Sequence, residues 1–250
     1  MLPEPEMLAG GLEDRRVELP DGAIFRNATV IRCDIGRQRI PIFQAEATTF
    51  DSCDFSRVRV DAGTLGVLPF ATYRDCRFVK SDLSRVLPGV ARFERCLFEG
   101  ARIDKWFAFQ AEFTECTFVG PIKSVRFYGT VGPPELIQRI GRTTNEFRDN
   151  DFSRADLVDV EFVGGIDLDA QRWPDTPPYQ RIDRLADRLR AARAVIEGWP
   201  PSPDREAALA ELATLSEVYR GQDSVNRWAR SSSDLFERIW AIIAEAKPLS

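Results

Sequence analysis

Histidine is absent from the 250 residues of this chain. The commonest general base and imidazole metal ligand are therefore missing, and hydrolytic triads built on histidine are excluded. No glycine-rich phosphate loop is present. No apolar run approaches the roughly 18 residues of a membrane span, and no basic patch leads into an apolar run as in a secretory signal. A basic excess is also lacking. The net charge is -5; residues 21–165 hold twenty acids and twenty bases, while residues 1–20 hold five acids and two bases. A nucleic-acid binder needs a Lys/Arg excess, so direct nucleic-acid binding is not expected. Cysteine is scarce and odd in number, at 5. Without a secretory context this favours a reduced, cytoplasmic protein.

Those five cysteines are evenly spaced. Cys33, Cys53, Cys76, Cys96 and Cys116 each precede, by two residues, Ile35, Phe55, Phe78, Phe98 or Phe118. Four share the frame aromatic-x-x-Cys-x-Phe, starting at Phe50, Tyr73, Phe93 and Phe113, and Phe147–Phe152 repeats it with Asn150 in the cysteine place. A period near 20 indicates a solenoid, and solenoids usually work as binding surfaces.

Within that period lies one of five. From Phe25, every fifth residue to Phe70 is apolar; the register restarts at Tyr73 after a three-residue insertion, runs to Phe118, and returns over Phe147–Phe162. The residue two before each is mostly small or apolar. Five fits neither helix nor strand, but fits a chain that turns a corner every five residues. Four sides close one coil, and coils stack at about 4.8 Å, giving about six coils and a column roughly 29 Å tall. Gln38 and Pro88 at inward places, and the stretch Pro121–Lys123, depart from the pattern.

The units Ala155-Asp-Leu157, Asn150-Asp-Phe152 and Cys53-Asp-Phe55 resemble the pentapeptide repeat A(D/N)Lxx. The resemblance covers residues about 23–166 and implies an all-β solenoid, a right-handed quadrilateral β-helix. Residues 1–22 read as a leader or cap over the first coil. Residues 23–166 read as the β-helix, with an inserted loop near 124–146. Pro134 and Gly141 suit the start and stop of a short helix in that loop. Residues 167–250 read as a small α-helical C-terminal region, with helices expected near 179–197, after Ser202, and within 223–246.

The cysteines read as small hydrophobes filling a narrow inner slot, not as a metal site, because zinc wants four ligands around a point and these lie along a line. Asp167 and Asp169 form a pair without a partner base and read as a turn or helix cap. No catalytic, cofactor or metal residue is identified, and no enzymatic activity or cofactor is expected. Loops leaving a rigid scaffold tend to carry function, so Tyr128, Leu136, Ile137, Arg139 and Ile140 form a candidate partner-binding loop. Leu235, Phe236, Ile239, Trp240 and Ile243 form an apolar patch that must be buried, as a cap or in a homodimer through the C-terminal helix. The expected function is a protein–protein interaction scaffold with an unidentified protein partner. The resemblance implies an alternative: DNA mimicry that binds a type II topoisomerase (gyrase) and protects it from inhibitors. That reading wants a dense negative stripe, which a neutral column lacks.

Overall fold

A large apolar residue at every fifth place, with a small one two before it, can be buried only if the backbone bends between them. In the computed structural model it does so at residues with left-handed backbone. Arg32, Ser52, Asp75, Arg95, Glu115 and Asp149, each just before the cysteine place, have φ of 49–57°. The structure describes residues 4–132, 134–175, 179–228 and 233–247. The chain divides into two units, Met1–Glu161 with Asp169–Asp175, and Phe162–Leu168 with Thr176–Ser250.

The first unit is a β-solenoid of about six turns. Its strands pair in parallel with the same side of the next coil. On the first side, Val30 pairs with Phe50, Phe50 with Tyr73, Tyr73 with Phe93, Phe93 with Phe113 and Phe113 with Phe147. The second side carries Ile35, Phe55, Phe78, Phe98, Phe118 and Phe152. The third carries Ile40, Val60, Leu83 and Ile103, and the fourth Phe25, Ala45, Leu65, Pro88 and Ala108; all these side chains are buried. Second-side rings stack almost parallel along the axis. Centroids are 5.0 Å apart for Phe55–Phe78, 4.9 Å for Phe78–Phe98, 5.0 Å for Phe98–Phe118 and 4.6 Å for Phe118–Phe152. That spacing matches the strand separation, so each ring sits in van der Waals contact with the rings above and below.

The cysteine ladder has a hydrogen-bond logic. Four of the five thiols donate to the first-side carbonyl one coil back: Cys53 to Val30 (3.3 Å), Cys76 to Phe50 (3.5 Å), Cys96 to Tyr73 (3.3 Å) and Cys116 to Phe93 (3.4 Å). Asn150 keeps the rule, its Nδ2 donating to Phe113 O at 2.9 Å while Oδ1 accepts from Cys116 N at 3.0 Å. Gln171 continues it with Nε2 to Phe147 O at 3.1 Å. All five cysteines are free and buried. Burial pushes Cys76 and Cys96 well above the ordinary thiol range, so these are inert packing groups.

The structure corrects the sequence register in three places. Phe70 and Leu68 are not lumen residues. The coil leaves its path between Leu65 and Tyr73, and both pack on an outer cluster with Val90, Val131 and Ile140. The strand Thr117–Tyr128 runs on through the expected break. Its pairing offset changes from Glu99 with Val119 to Ile103 with Ile122. One residue is lost near Gly120–Pro121, so Ile122, Val125 and Phe127 become the buried residues. Finally, the column extends past residue 166: Asp151 bridges Arg172 and Trp173 stacks on Phe152 at 5.3 Å.

At the other end, residues 4–22 act as a cover. Strand Glu6–Glu13 pairs in parallel with Ala23–Ile31. Gln38 is polar because it ties this cover down: its side chain accepts from Leu19 N at 2.7 Å and donates to Val17 O at 2.8 Å.

Among the described residues the second unit holds three helices, α2 (Leu185–Glu197), α3 (Pro203–Val218) and α4 (Asp234–Glu245). Helix α3 starts as expected, with Ser202 Oγ accepting from Arg205 N at 3.2 Å. The expected first and third helices are shorter than the sequence suggests. Each is preceded by a strand, Tyr179–Ile182 and Val225–Trp228, which pair antiparallel. No helix among the described residues is long and apolar enough to cross a membrane.

Candidate interaction surface

Both insertions into the five-residue register fall at one corner, between the fourth and first sides. The smaller lies between Leu65 and Tyr73, the larger between Phe127 and Phe147. The larger is a closed excursion. Thr130 bridges Thr144, Val131 N donates to Thr143 O at 2.9 Å, and Asn145 N donates to Gly129 O at 2.8 Å. Its tip carries helix α1 (Pro134–Ile140). Gly141 ends the helix at φ 79°, its N–H donating to Ile137 O at 2.8 Å, a position that favours glycine.

Helix α1 turns its apolar residues to the column. Ile140 is buried with Val90 and Val131, and Leu136 and Ile137 pack on them with Leu68 and Phe70. The two insertions are therefore one structure, each burying the other's apolar side chains. Of the loop residues expected to meet a partner, Leu136, Ile137 and Ile140 serve this packing. Arg139 is exposed, and Tyr128 is half-buried at the neck.

A charged cluster fixes the neck. The Glu112 side chain is 2 % exposed and meets Arg92 Nε at 2.7 Å and Arg142 Nε at 3.1 Å. It also accepts from Glu146 N at 3.0 Å. Arg142 Nη2 donates to Gln110 O at 2.6 Å and to Asn145 Oδ1 at 3.0 Å. Asn145 Nδ2 donates to Phe109 O at 2.9 Å and Tyr128 O at 2.8 Å. Arg142 lies 5.0 Å and Arg92 5.7 Å from the Phe70 ring centroid, within cation–π range. Burial, the largest influence, lowers the Arg142 pKa from its ordinary value; an arginine nevertheless stays charged at neutral pH.

Several outward charges pair with the opposite sign on the adjoining coil. Arg32 pairs with Asp14 (2.6 Å), Arg95 with Asp75 (2.9 Å), Arg74 with Glu94 (2.8 Å) and Arg26 with Glu46 (2.9 Å). The Arg95 guanidinium holds Asp75 below the usual carboxylate range, as Arg32 does for Asp14. The corner between the second and third sides carries Arg37, Arg57 and Lys80, all exposed or half-exposed. Acids gather locally around a cavity of about 470 Å³ lined by Glu115, Asp149, Asp151 and Asp169 together with Arg172. Among the described residues no group of three or more His, Cys, Asp or Glu could hold a metal ion. Asp167 and Asp169 are both exposed.

Within the second unit, Ile239, Trp240 and Ile243 of the expected C-terminal patch are buried, with α4 packed on α2 and α3. Leu235 and Phe236 are half-buried, Phe236 lying 6.2 Å edge-on to Trp240.

Stacked coils of four five-residue sides, with a large and a small inward residue per side, define the class: a β-solenoid of pentapeptide-repeat type. No family model matches the chain, and no curated protein matches it. Among solved structures it is similar to full-length QnrB1, described as a plasmid-mediated fluoroquinolone resistance protein. Identity is 16 %, over 67 % of this chain and 81 % of that one, with a TM-score of 0.23. Two trypsin-treated variants of that protein match at 16 % identity: one over 67 % and 78 % with a TM-score of 0.24, the other over 66 % and 80 % with 0.22. The class rests on the coil geometry of the chain itself.

Proposed function

We propose that this protein is a non-enzymatic scaffold for protein–protein interaction, read at the corner where its two insertions meet. One observation carries the reading. Most of the column repeats with regular geometry, while both insertions are gathered at one corner and secured by the Glu112 cluster and a shared apolar core. A platform locked onto a stiff column is pre-organised, which reduces the ordering cost of binding. Arg139 and Tyr128 are its partner-facing residues from the expected loop.

The DNA-mimic reading has one supporting feature, the acidic cavity at Glu115, Asp149, Asp151 and Asp169. It is local, and many acids elsewhere pair with arginines of adjoining coils, so the scaffold reading is favoured.

The test is affinity capture from the source cell with the full chain. In one variant residues 132–142 are replaced by Asn-Gly, a sequence suited to closing a two-residue turn between Val131 and Thr143. A second variant carries Asp149→Lys and Asp151→Lys. The expected result is a partner retained by the wild type and by the lysine variant and lost with the excursion. A topoisomerase lost only with the lysine variant would overturn the scaffold reading in favour of mimicry.

A further inference from the structure

Solvent-exposed aromatics are concentrated on the fourth side beside the excursion neck. Phe107 is 52 % exposed, Phe109 41 % and Leu87 60 %. Phe107 lies on the strand Phe107–Ala108 and Phe109 directly follows it, with ring centroids 6.0 Å apart, and Phe109 stacks on Tyr128 of the next coil at 4.4 Å. Leu87 and Phe107 hold the same register place in successive coils, since Asp82 bridges Arg102 five residues earlier. None of these side chains fills the lumen, and water is an unfavourable neighbour for a contiguous apolar patch.

Cations border the patch. Arg85 and Lys105 are exposed and stand two residues before Leu87 and Phe107, at the adjoining corner. Neither has a carboxylate within ion-pair range among the described residues. Lys123 lies in register with Asp104 on the same side, and Arg126 is paired with Glu161.

We propose that this fourth-side surface docks an extended acidic peptide segment of a partner protein, with aromatic or leucine side chains set among its acids. The proposal rests on the scaffold reading and names the chemistry of the partner. Apolar side chains cover the Leu87–Phe107–Phe109–Tyr128 ledge, and carboxylates meet Arg85 and Lys105. Charge complementarity favours acidic over basic segments. Ring geometry favours peptide over single-stranded nucleic acid. Base binding needs an open aromatic face, whereas Phe109 spends a face on Tyr128 and lies parallel to Phe107.

The test is fluorescence anisotropy on the full chain. The probe is a fluorescein-labelled peptide alternating Glu with Phe and Leu; its controls are the same peptide with Lys for Glu, and a labelled oligo-dT. The acidic peptide is expected to bind saturably and to weaken as salt rises. Affinity should fall about tenfold or more in Phe107→Ser/Phe109→Ser and in Arg85→Glu/Lys105→Glu. These positions are on the surface, and thiols that stay unreactive in each variant confirm an intact column. No binding of the acidic peptide, equal binding of the lysine peptide, tighter binding of oligo-dT, or wild-type affinity in both variants would overturn the proposal. If both variants still capture the excursion-dependent partner, this surface is not the docking site although the scaffold reading stands. A capture experiment that loses no partner with the excursion sinks the scaffold reading by itself.

Discussion

Phe98→Ala should lower the unfolding free energy by about 3–5 kcal/mol, the range for a large aromatic removed from a packed core. Phe98 is fully buried and stacks on Phe78 at 4.9 Å and on Phe118 at 5.0 Å, and it meets Phe93 edge-on at 5.5 Å. The neighbouring coils are held at strand spacing by their own backbone ladders, so they cannot close over the gap. The substitution therefore loses transfer energy and leaves a cavity. Phe98→Leu refills much of the volume and should cost less. Urea unfolding reads the difference. An unchanged midpoint for Phe98→Ala would mean that the ring is not in the lumen and that the register is misassigned.

Glu112→Ala should cost about 3 kcal/mol, the low end of the range for removing one partner of a buried ion pair. The low end applies because Arg92 is 36 % exposed and can turn to water, whereas Arg142 is 16 % exposed and cannot do so readily. The Glu146 amide also loses its acceptor. The loss should be local before it is global, with the excursion opening and cleavage by trypsin near Arg139 and Arg142 accelerating. Glu112→Gln keeps a hydrogen-bond acceptor and should fall between the two. Unfolding and proteolysis of Glu112→Ala that match the wild type would show that this carboxylate does not secure the neck.

The cysteine ladder was legible because three constraints coincide at those places. The slot is narrow, it is buried, and it wants a donor toward the carbonyl one coil back. Cysteine meets all three, and so do Asn150 and Gln171. The place of Gln171 was missed because Leu168-x-x-Gln171-x-Trp173 keeps the frame in shape while changing each of its signature residues. Phe70 was misplaced for a different reason. Being apolar and fifth in line, it satisfies the register, but an insertion redirects it onto the apolar side of α1. Ile122 and Phe127 were lost to a one-residue deletion, after which a fixed step of five points at Lys123 and Tyr128.

The candidate surface was less legible than the core. The sequence names Tyr128 and the loop, but does not show that Leu136, Ile137 and Ile140 are turned inward. Nor does it show that the two insertions share a corner: the five-residue register runs on to Phe70 and stops at Phe118, whereas in the structure the insertions follow fourth-side Leu65 and Phe127. Phe107 and Phe109 flank inward Ala108, and that alternation alone marks them as outward.

Site-specific photo-crosslinking in the source cell addresses the scaffold reading most directly. A benzophenone photoprobe is installed at the position of Arg139 on the excursion and, in a separate sample, at that of Arg57 on the basic corner; both are exposed. A discrete crosslinked partner from position 139, absent from position 57, is the expected result. Crosslinking to a partner from position 57 with none from 139 would contradict it.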